Sequence, residues 1–196
     1  MKPEISLIIP AYNEELRIGK TLDKIIESFE LLNRTYEIIV VDDGSKDDTA
    51  SVVKDYKNVK ILKQIPNQGK GAAVRRGMLE STGDFRIFSD ADLSTPIKEF
   101  QKLYDCFKSG TDVCIGSRAV DYSMIKVHQP FYREFMGKTF NKIVQLLVIK
   151  GIKDTQCGYK GFSEKAAKQI FNIAKIDGFG FDVEIIYLAS KLGFKV

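Results

Sequence analysis

The sequence has few of the residues that build metal clusters or disulfide frameworks. Its three cysteines, Cys106, Cys114 and Cys157, form no CxxC pair and have no metal-ligand spacing. An odd number of cysteines without a framework indicates a reducing compartment. The single histidine, His128, has no Cys or His beside it, which argues against a metal role. A zinc-stabilised or disulfide-stapled fold is therefore not expected.

Long apolar runs and a dominant charge sign are also lacking. No stretch reaches the roughly 20 apolar residues that a helix needs to span a bilayer. Residues 1–4 lead directly into a short apolar run, so we expect no signal peptide. The 30 Lys+Arg and 26 Asp+Glu give a formal net charge of +4. Such mild basicity suits ordinary solvated surface, and equally an approach to anionic phosphates or membranes. We expect a soluble or peripheral protein.

What the chain does have is a regular alternation of short apolar segments and helical patterns. Its 196 residues, 44% of them hydrophobic, suit one domain with a real core. Apolar strands separated by helices predict βαβ units and a mainly parallel sheet buried on both faces. The predicted strands are 5–9, 37–41, 59–62, 85–88 and 112–116, and the predicted helices are 14–32, 48–56, 71–80 and 95–107.

Beyond residue 118 the alternation weakens. Residues 131–149 form a long helical pattern with two interpretations, a core helix or an amphipathic helix lying on a membrane surface. In the second interpretation Lys138, Lys142 and Lys150 face anionic headgroups. A short strand at 158–162 and a helix at 182–192 follow. Residues 193–196 look like the start of a further strand, which is consistent with a chain that continues past residue 196.

Polar residues are concentrated directly after the predicted strands. Parallel sheets bind ligands beyond the carboxyl ends of their strands, so these residues should meet at one edge. They lie at 10–14, 42–45, 89–92 and 117–118. The sharpest signal is Asp90-Ala91-Asp92, in which two carboxylates one residue apart suit Mg²⁺ or Mn²⁺ together with diphosphate oxygens. A turn or a helix-capping pair is the alternative interpretation.

Two further segments suit a nucleotide ligand. Asp42 and Asp43 can accept hydrogen bonds from a base or ribose, although a strand-to-helix turn explains them equally. Residues 67–71 precede a predicted helix, and Lys70 together with the helix N-terminus can face a phosphate. The spacing of a Walker loop is missing, and a flexible turn is the alternative.

These motifs together resemble those of family 2 glycosyltransferases. Residues 10–14, 40–45, 67–77, 90–92 and 116–118 occur in that family's order and at roughly its spacings, and the resemblance covers essentially the whole chain. Within the family the chain looks most like the polyprenyl-phosphate sugar transferases. Residues 154–160 and 180–184 resemble the dolichyl-phosphate β-glucosyltransferase branch more than the mannose branch.

The resemblance implies an α/β fold, a GT-A type Rossmann-like domain with a mainly parallel central sheet flanked by helices. Residues 1–196 form a single catalytic domain, with a donor and metal half at 1–118 and an acceptor half at 119–196. The resemblance also implies site residues. Those for the nucleotide sugar are Pro10, Tyr12, Glu14, Asp42, Asp43, Lys70 and Asp90; those for the metal are Asp90 and Asp92, with Ser94 near; those for the acceptor are Arg118, Arg133 and Gln156; and the catalytic candidates are Asp92, Arg118, Arg133, Asp154 and Asp182.

The expected mechanism follows from a lipid phosphate acceptor. A phosphate monoester has a second pKa of about 6, so it is already an anionic nucleophile and needs no strong base. Arg118 and Arg133 would hold it for a single inverting displacement. Many relatives have an acidic residue in the loop at 156–159, which here contains no carboxylate. Asp154 and Asp182 are the remaining base candidates, and either can instead cap a helix or order a loop.

The resemblance therefore predicts an enzyme that uses UDP-glucose, Mg²⁺ or Mn²⁺ and a polyprenyl or dolichyl phosphate. It predicts peripheral association with the cytosolic face of a membrane and no nucleic-acid partner. The alternatives are a GDP-mannose enzyme and a family 2 glycosyltransferase with a soluble or polysaccharide acceptor. A pyrophosphorylase would need a Gly-rich loop with Arg where residues 10–14 stand. A receiver-like module would be shorter, near ~120 residues, and would have Lys at the position of Arg118.

Overall fold

The computed structural model of the protein describes residues 2–32, 34–93, 99–116, 155 and 157–196. Within these ranges it contains six strands and six helices. The strands are β1 (Ile5–Ala11), β2 (Tyr36–Asp42), β3 (Val59–Lys63), β4 (Phe85–Ser89), β5 (Val113–Ile115) and β6 (Tyr159–Ser163). The helices are α1 (Ile18–Glu30), α2 (Thr49–Lys54), α3 (Lys70–Glu80), α4 (Phe100–Lys108), α5 (Glu164–Ile173) and α6 (Phe181–Lys191).

The described strands form one sheet in the order β3-β2-β1-β4-β6-β5. β1 pairs in parallel with β2 and with β4, and β2 pairs in parallel with β3. β6 runs antiparallel to both β4 and β5. The carboxyl ends of β1, β2 and β4 therefore lie side by side at one edge, which is where the polar segments of the sequence begin.

Side-chain alternation along the strands divides the core into two layers. In β1, Ile5, Leu7 and Ile9 face the layer of α1, α2 and α4, whereas Ile8 faces the layer of α3, α5 and α6. Successive strand residues point to opposite faces, so a continuous apolar strand is buried on both. The predicted fold class, a mainly parallel sheet covered by helices on both faces, is confirmed.

The sequence placed most of these elements to within a few residues but missed α5. Its signals are present: Ser163 caps the helix by accepting from the backbone N–H of Ala166 at 3.2 Å, and Ala166, Ile170 and Phe171 are buried. The expected strand at 193–196 is wrong. Lys195 instead contacts the start of β5 through its carbonyl, which accepts from the backbone N–H groups of Asp112 and Val113.

In the described ranges, none of the helices has the length and apolar character that a membrane span requires.

Candidate active site

A cleft of about 440 Å³ opens at the carboxyl ends of β1, β2 and β4. Seven of the residues predicted for the donor and the metal line it, so the expectation that they meet at one sheet edge is confirmed. These seven are Pro10, Tyr12, Glu14, Asp43, Lys70, Asp90 and Asp92, and the other lining residues are Ala11, Asn67, Gly69, Ala73, Ala91 and Phe179.

The loop after β1 forms one wall and is held by the loop after β2. Asn13 has a left-handed backbone, with φ of 55°, a conformation that Asn adopts more readily than most residues. Its N–H donates to Oγ of Ser45 at 2.9 Å, and its Oδ1 accepts from the N–H of Lys46 at 2.9 Å. These bonds fix the turn that carries Tyr12 and Glu14 to the cleft.

Glu14 and Tyr12 differ in their contact with solvent. Tyr12 is exposed, whereas Glu14 is partly buried and its Oε2 lies 2.5 Å from Nε of Arg17. Burial raises the pKa of Glu14; Arg17 opposes this effect and nearby Asp92 adds to it. Glu14 and Asp92 are therefore close enough to interact electrostatically at this end of the cleft.

Asp43 organises the loop that follows β3. Its buried carboxylate accepts hydrogen bonds from Nε2 of Gln64 at 2.7 Å and from the backbone N–H groups of Gln68 and Gly69, both at 2.8 Å. Asp42 is placed differently, since its carboxylate accepts from the N–H of Ser45 at 2.9 Å and it is not among the described cleft-lining residues. For Asp42 the strand-to-helix turn is the role that the structure shows.

The N-terminus of α3 lies at the cleft, and some of its backbone N–H groups are already hydrogen-bonded. The carbonyl of Asp177 accepts from the N–H groups of Gly71 and Ala72 at 2.7 and 3.2 Å, and the N–H of Gly69 is bound to Asp43. The carbonyl of Asp177 therefore occupies two of the first backbone donors of α3, and the prediction that this helix N-terminus faces a phosphate stays a prediction. Of that segment, Asn67, Gly69 and Lys70 line the cleft, and Lys70 is the one with a charged side chain.

Asp90 and Asp92 are presented by a tight turn after β4. The N–H of Leu93 donates to the carbonyl of Asp90 at 3.2 Å, and Leu93 has a left-handed φ of 49°. On the far side, Asp90 rests against the backbone of Gly158, whose carbonyl accepts from the N–H of Asp90 at 3.1 Å. A Cβ at position 158 would lie 2.0 Å from Oδ2 of Asp90, so glycine is required for this contact.

The described donors fit a divalent cation in part. Oδ1 of Asp90 is buried and receives no hydrogen bond in the described structure, although Nζ of Lys70 lies 2.6 Å away as an ion pair. The described ranges contain no group of three or more His, Cys, Asp or Glu side chains able to hold a metal. Asp90 and Asp92 would thus supply two oxygen donors, leaving positions that phosphate and water oxygens suit.

Asp182 is not placed as a catalytic base. It lies in the first turn of α6, is 3% exposed, and forms an ion pair with the fully buried Lys160. Lys160 also donates to the carbonyl of Cys157 at 2.5 Å. A base must reach the substrate, whereas this carboxylate orders the segment that carries Gly158. The loop-ordering interpretation of Asp182 is the one that agrees with its position.

Sequence reasoning missed Phe179, which lines the cleft and is 75% exposed. It stands between Gly178 and Gly180 just before α6, and a large aromatic residue between two glycines was the available signal. Its loop is anchored by Glu184, which accepts from the N–H groups of Lys175 and Ile176, both at 2.9 Å.

The residues predicted for the acceptor are not among those that the structure describes. Arg118, Arg133, Asp154 and Gln156 lie outside the described residues, as do Ser94, His128 and the helical pattern at 131–149. Their predicted roles stay predictions.

Comparison with known proteins agrees with this fold. Residues 6–171 match the model of the family described as "Glycosyl transferase family 2". The chain is 41% identical to dolichyl-phosphate beta-glucosyltransferase of Dictyostelium discoideum, covering 98% of this chain and 64% of that protein. It is 38% identical to the Drosophila melanogaster protein of the same name, covering 96% and 63% respectively. The chain therefore spans less than two thirds of the length of these relatives.

Among solved structures, glucosyl-3-phosphoglycerate synthase from Mycobacterium tuberculosis, in complex with Mn²⁺, uridine diphosphate and phosphoglyceric acid, superposes with a TM-score of 0.69. The match covers 98% of this chain and 66% of that one at 20% identity, and so shows a shared fold. The cleft at the sheet edge, the ordered motifs around it and the match over residues 6–171 lead to one conclusion: the chain belongs to glycosyl transferase family 2.

Proposed function

We propose that the protein is a metal-dependent glycosyltransferase that moves glucose from UDP-glucose to dolichyl phosphate or a related polyprenyl phosphate. The observation that carries the proposal is the cleft in which Asp43, Lys70, Asp90 and Asp92 meet at the carboxyl ends of parallel strands. Glucose and the dolichyl acceptor are suggested by the names of the two relatives. UDP and Mn²⁺ are suggested by the ligands of the structural neighbour.

Donor binding would use the two loops that the structure fixes. Asp43 accepts three hydrogen bonds from residues 64–69, so it holds the loop that shapes the pocket. Tyr12 is exposed at the cleft wall and offers an aromatic face to a base. Lys70 offers the positive charge that a diphosphate needs.

Asp90 and Asp92 would hold Mg²⁺ or Mn²⁺. When bound, such an ion supplies the charge that stabilises a departing nucleoside diphosphate. The turn at 90–93 and the glycine wall at Gly158 keep the Asp90 carboxylate facing the cleft.

The acceptor would be held by Arg118, the last residue of the half at 1–118, and by Arg133, and it would be oriented near Gln156 in the half at 119–196. A phosphate monoester is largely dianionic near neutrality because its second pKa is about 6. It can attack without a general base, which agrees with the burial of Asp182 in an ion pair. Guanidinium groups would overcome its repulsion from the donor diphosphate, and one inverting displacement would follow.

The lipid acceptor would place the protein at the cytosolic face of a membrane. Residues 131–149, with Lys138, Lys142 and Lys150, are the segment we propose for contact with the bilayer.

The test is transfer of labelled sugar from UDP-glucose and from GDP-mannose to a short polyprenyl phosphate, with Mn²⁺ and with EDTA. We expect product from UDP-glucose with Mn²⁺, lost in Asp92→Asn and Arg133→Ala and kept in Lys60→Met, a surface control. Product from GDP-mannose alone would overturn UDP-glucose as the proposed donor. In a parallel reaction with phosphoglyceric acid as the acceptor, transfer there but not to lipid would overturn the proposed lipid phosphate acceptor.

A further inference from the structure

Lys70 and Asp90 form an ion pair at the centre of the cleft. Nζ of Lys70 lies 2.6 Å from Oδ1 of Asp90, and the two side chains are 20% and 31% exposed. That carboxylate oxygen is itself buried and receives no hydrogen bond within the described residues. The ammonium group therefore neutralises an oxygen whose charge would otherwise be buried without compensation.

The carboxylate of Asp90 cannot relieve this situation by turning away. Its Oδ2 is packed so closely on Gly158 that a single Cβ there would lie 2.0 Å from it. The backbone N–H of Asp90 is bound to the carbonyl of Gly158. The charge on Asp90 must face the cleft, where a cation has to meet it.

Lys70 can leave Asp90 without any change in the backbone. The residues on either side are fixed, because the N–H of Gly69 donates to Asp43 at 2.8 Å and the N–H of Gly71 donates to Asp177 at 2.7 Å. A lysine side chain is flexible and carries a compact charge that can donate in several directions. The movable part of this segment is therefore the ammonium group.

Lys70 supplies the positive charge among the described residues that line the cleft. Of the described residues that line it, four are carboxylates, namely Glu14, Asp43, Asp90 and Asp92, and Lys70 is the one cation. An ammonium group and a divalent cation repel each other strongly at contact distances, so they cannot both rest on Oδ1 of Asp90.

We infer that Lys70 is an exchangeable counter-ion, which a divalent cation displaces from Asp90 and which the donor diphosphate then receives. The inference rests on the proposed donor and metal site. A metal ion arriving alone must break the ion pair and leaves Lys70 without a partner. A metal ion arriving with a diphosphate gives the ammonium group a phosphate oxygen. Metal and nucleotide binding are therefore positively coupled through Lys70.

The test compares Lys70→Met, which keeps an unbranched side chain but removes the charge, with Lys60→Met. Lys60 pairs with Glu80 at 3.5 Å on the surface, so its removal changes net charge equally without touching the cleft. Binding of Mn²⁺ is measured by electron paramagnetic resonance, first alone and then with UDP. We expect Lys70→Met to bind Mn²⁺ alone roughly fivefold more tightly than the wild type, as loss of a partly exposed ion pair implies. UDP should then improve Mn²⁺ affinity less than it does in the wild type and in Lys60→Met.

Unchanged or weaker Mn²⁺ affinity in Lys70→Met without UDP would overturn the inference, as would undiminished coupling to UDP. Absence of Mn²⁺ binding in every variant, even with UDP, would overturn it too. Lys70→Met/Asp90→Asn must lose the gain, since its survival would place the ion elsewhere. Circular dichroism checks that each variant is folded. Glucose transfer is scored separately: the expected Mn²⁺ pattern without transfer refutes the proposed function alone, and transfer without the pattern refutes this inference alone.

Discussion

Replacement of Gly158 by alanine should disable the site through a single methyl group. An ideal Cβ at this position lies 2.0 Å from Oδ2, 2.5 Å from Cγ and 2.9 Å from Oδ1 of Asp90. Carbon–oxygen contacts do not normally fall below about 3.3 Å, so the carboxylate must retreat by roughly 1.3 Å. Metal–ligand distances tolerate about 0.2 Å, and a misplacement of about 1 Å can lower a rate ~100-fold.

The assay is calorimetric titration of UDP in the presence of Mn²⁺, with thermal unfolding as a check on the fold. We expect Gly158→Ala to weaken Mn²⁺-dependent UDP binding by at least about tenfold, the lower bound for disturbing the support of a metal ligand. Gly178→Ala is the matched control, because a Cβ there meets no atom within 4 Å. A folded Gly158→Ala protein that binds UDP and Mn²⁺ as the wild type does would refute the role assigned to this glycine.

Three further predictions concern charges that the fold fixes. Lys160→Met should lower the unfolding free energy, measured in urea, by about 3–5 kcal/mol because it leaves Asp182 buried and unpaired. The double variant Lys160→Met/Asp182→Leu should recover most of this loss. A small loss in the single variant would contradict the prediction. Asp43→Asn should cost about 1–3 kcal/mol, since an amide nitrogen cannot accept from the donors that the carboxylate binds, and equal stability would count against that role. Hydrogen bonds from Lys168 and Lys2 lower the pKa of Glu164 to about 2. Because its folded pKa lies below the unfolded value, Glu164 stabilises the fold fully above about pH 4.5 and loses this effect as pH falls through 2. The difference in unfolding free energy between the wild type and Glu164→Gln should therefore shrink as pH falls from about 4.5 to about 2.

The sequence predicts those strands of the fold that are marked by a single clear signal, a continuous apolar segment followed by a polar turn. β1, β2 and β4 are continuous apolar segments ending in polar turns, and their side chains alternate between two faces as strands require. α5 was harder, because its cap, Ser163, is also the last residue of β6, so no loop separates the strand pattern from the helix pattern. Residues 193–196 have strand-like composition but contact β5 through one carbonyl, and such a contact depends on tertiary position rather than on local pattern.

The site was predictable as a set of residues but not as a set of contacts. The motifs named seven lining residues correctly because parallel strands bring their carboxyl ends together. No spacing rule could show that the carbonyl of Asp177 accepts from the N–H groups of Gly71 and Ala72 in α3, since the two segments are about a hundred positions apart. The same holds for Gly158, whose lack of a side chain is what lets Asp90 sit where it does.

Two ion pairs beside the cleft differ in the solvent exposure of their side chains, and this difference decides their roles. The side chains of Lys160 and Asp182 are 0% and 5% exposed, whereas those of Lys70 and Asp90 are 20% and 31% exposed. Separating a fully buried pair leaves two charges that are neither paired nor hydrated, which costs roughly several kcal/mol for each ion. The Lys70–Asp90 pair is partly exposed, so opening it costs less than opening a fully buried pair, although Oδ1 of Asp90 is itself buried. The fully buried pair is thus fixed and holds the segment of Gly158, while the partly exposed pair can open when a ligand supplies new partners. The segment at residues 157–159, which contains no carboxylate, therefore contacts the site through the packing of Gly158 on Asp90.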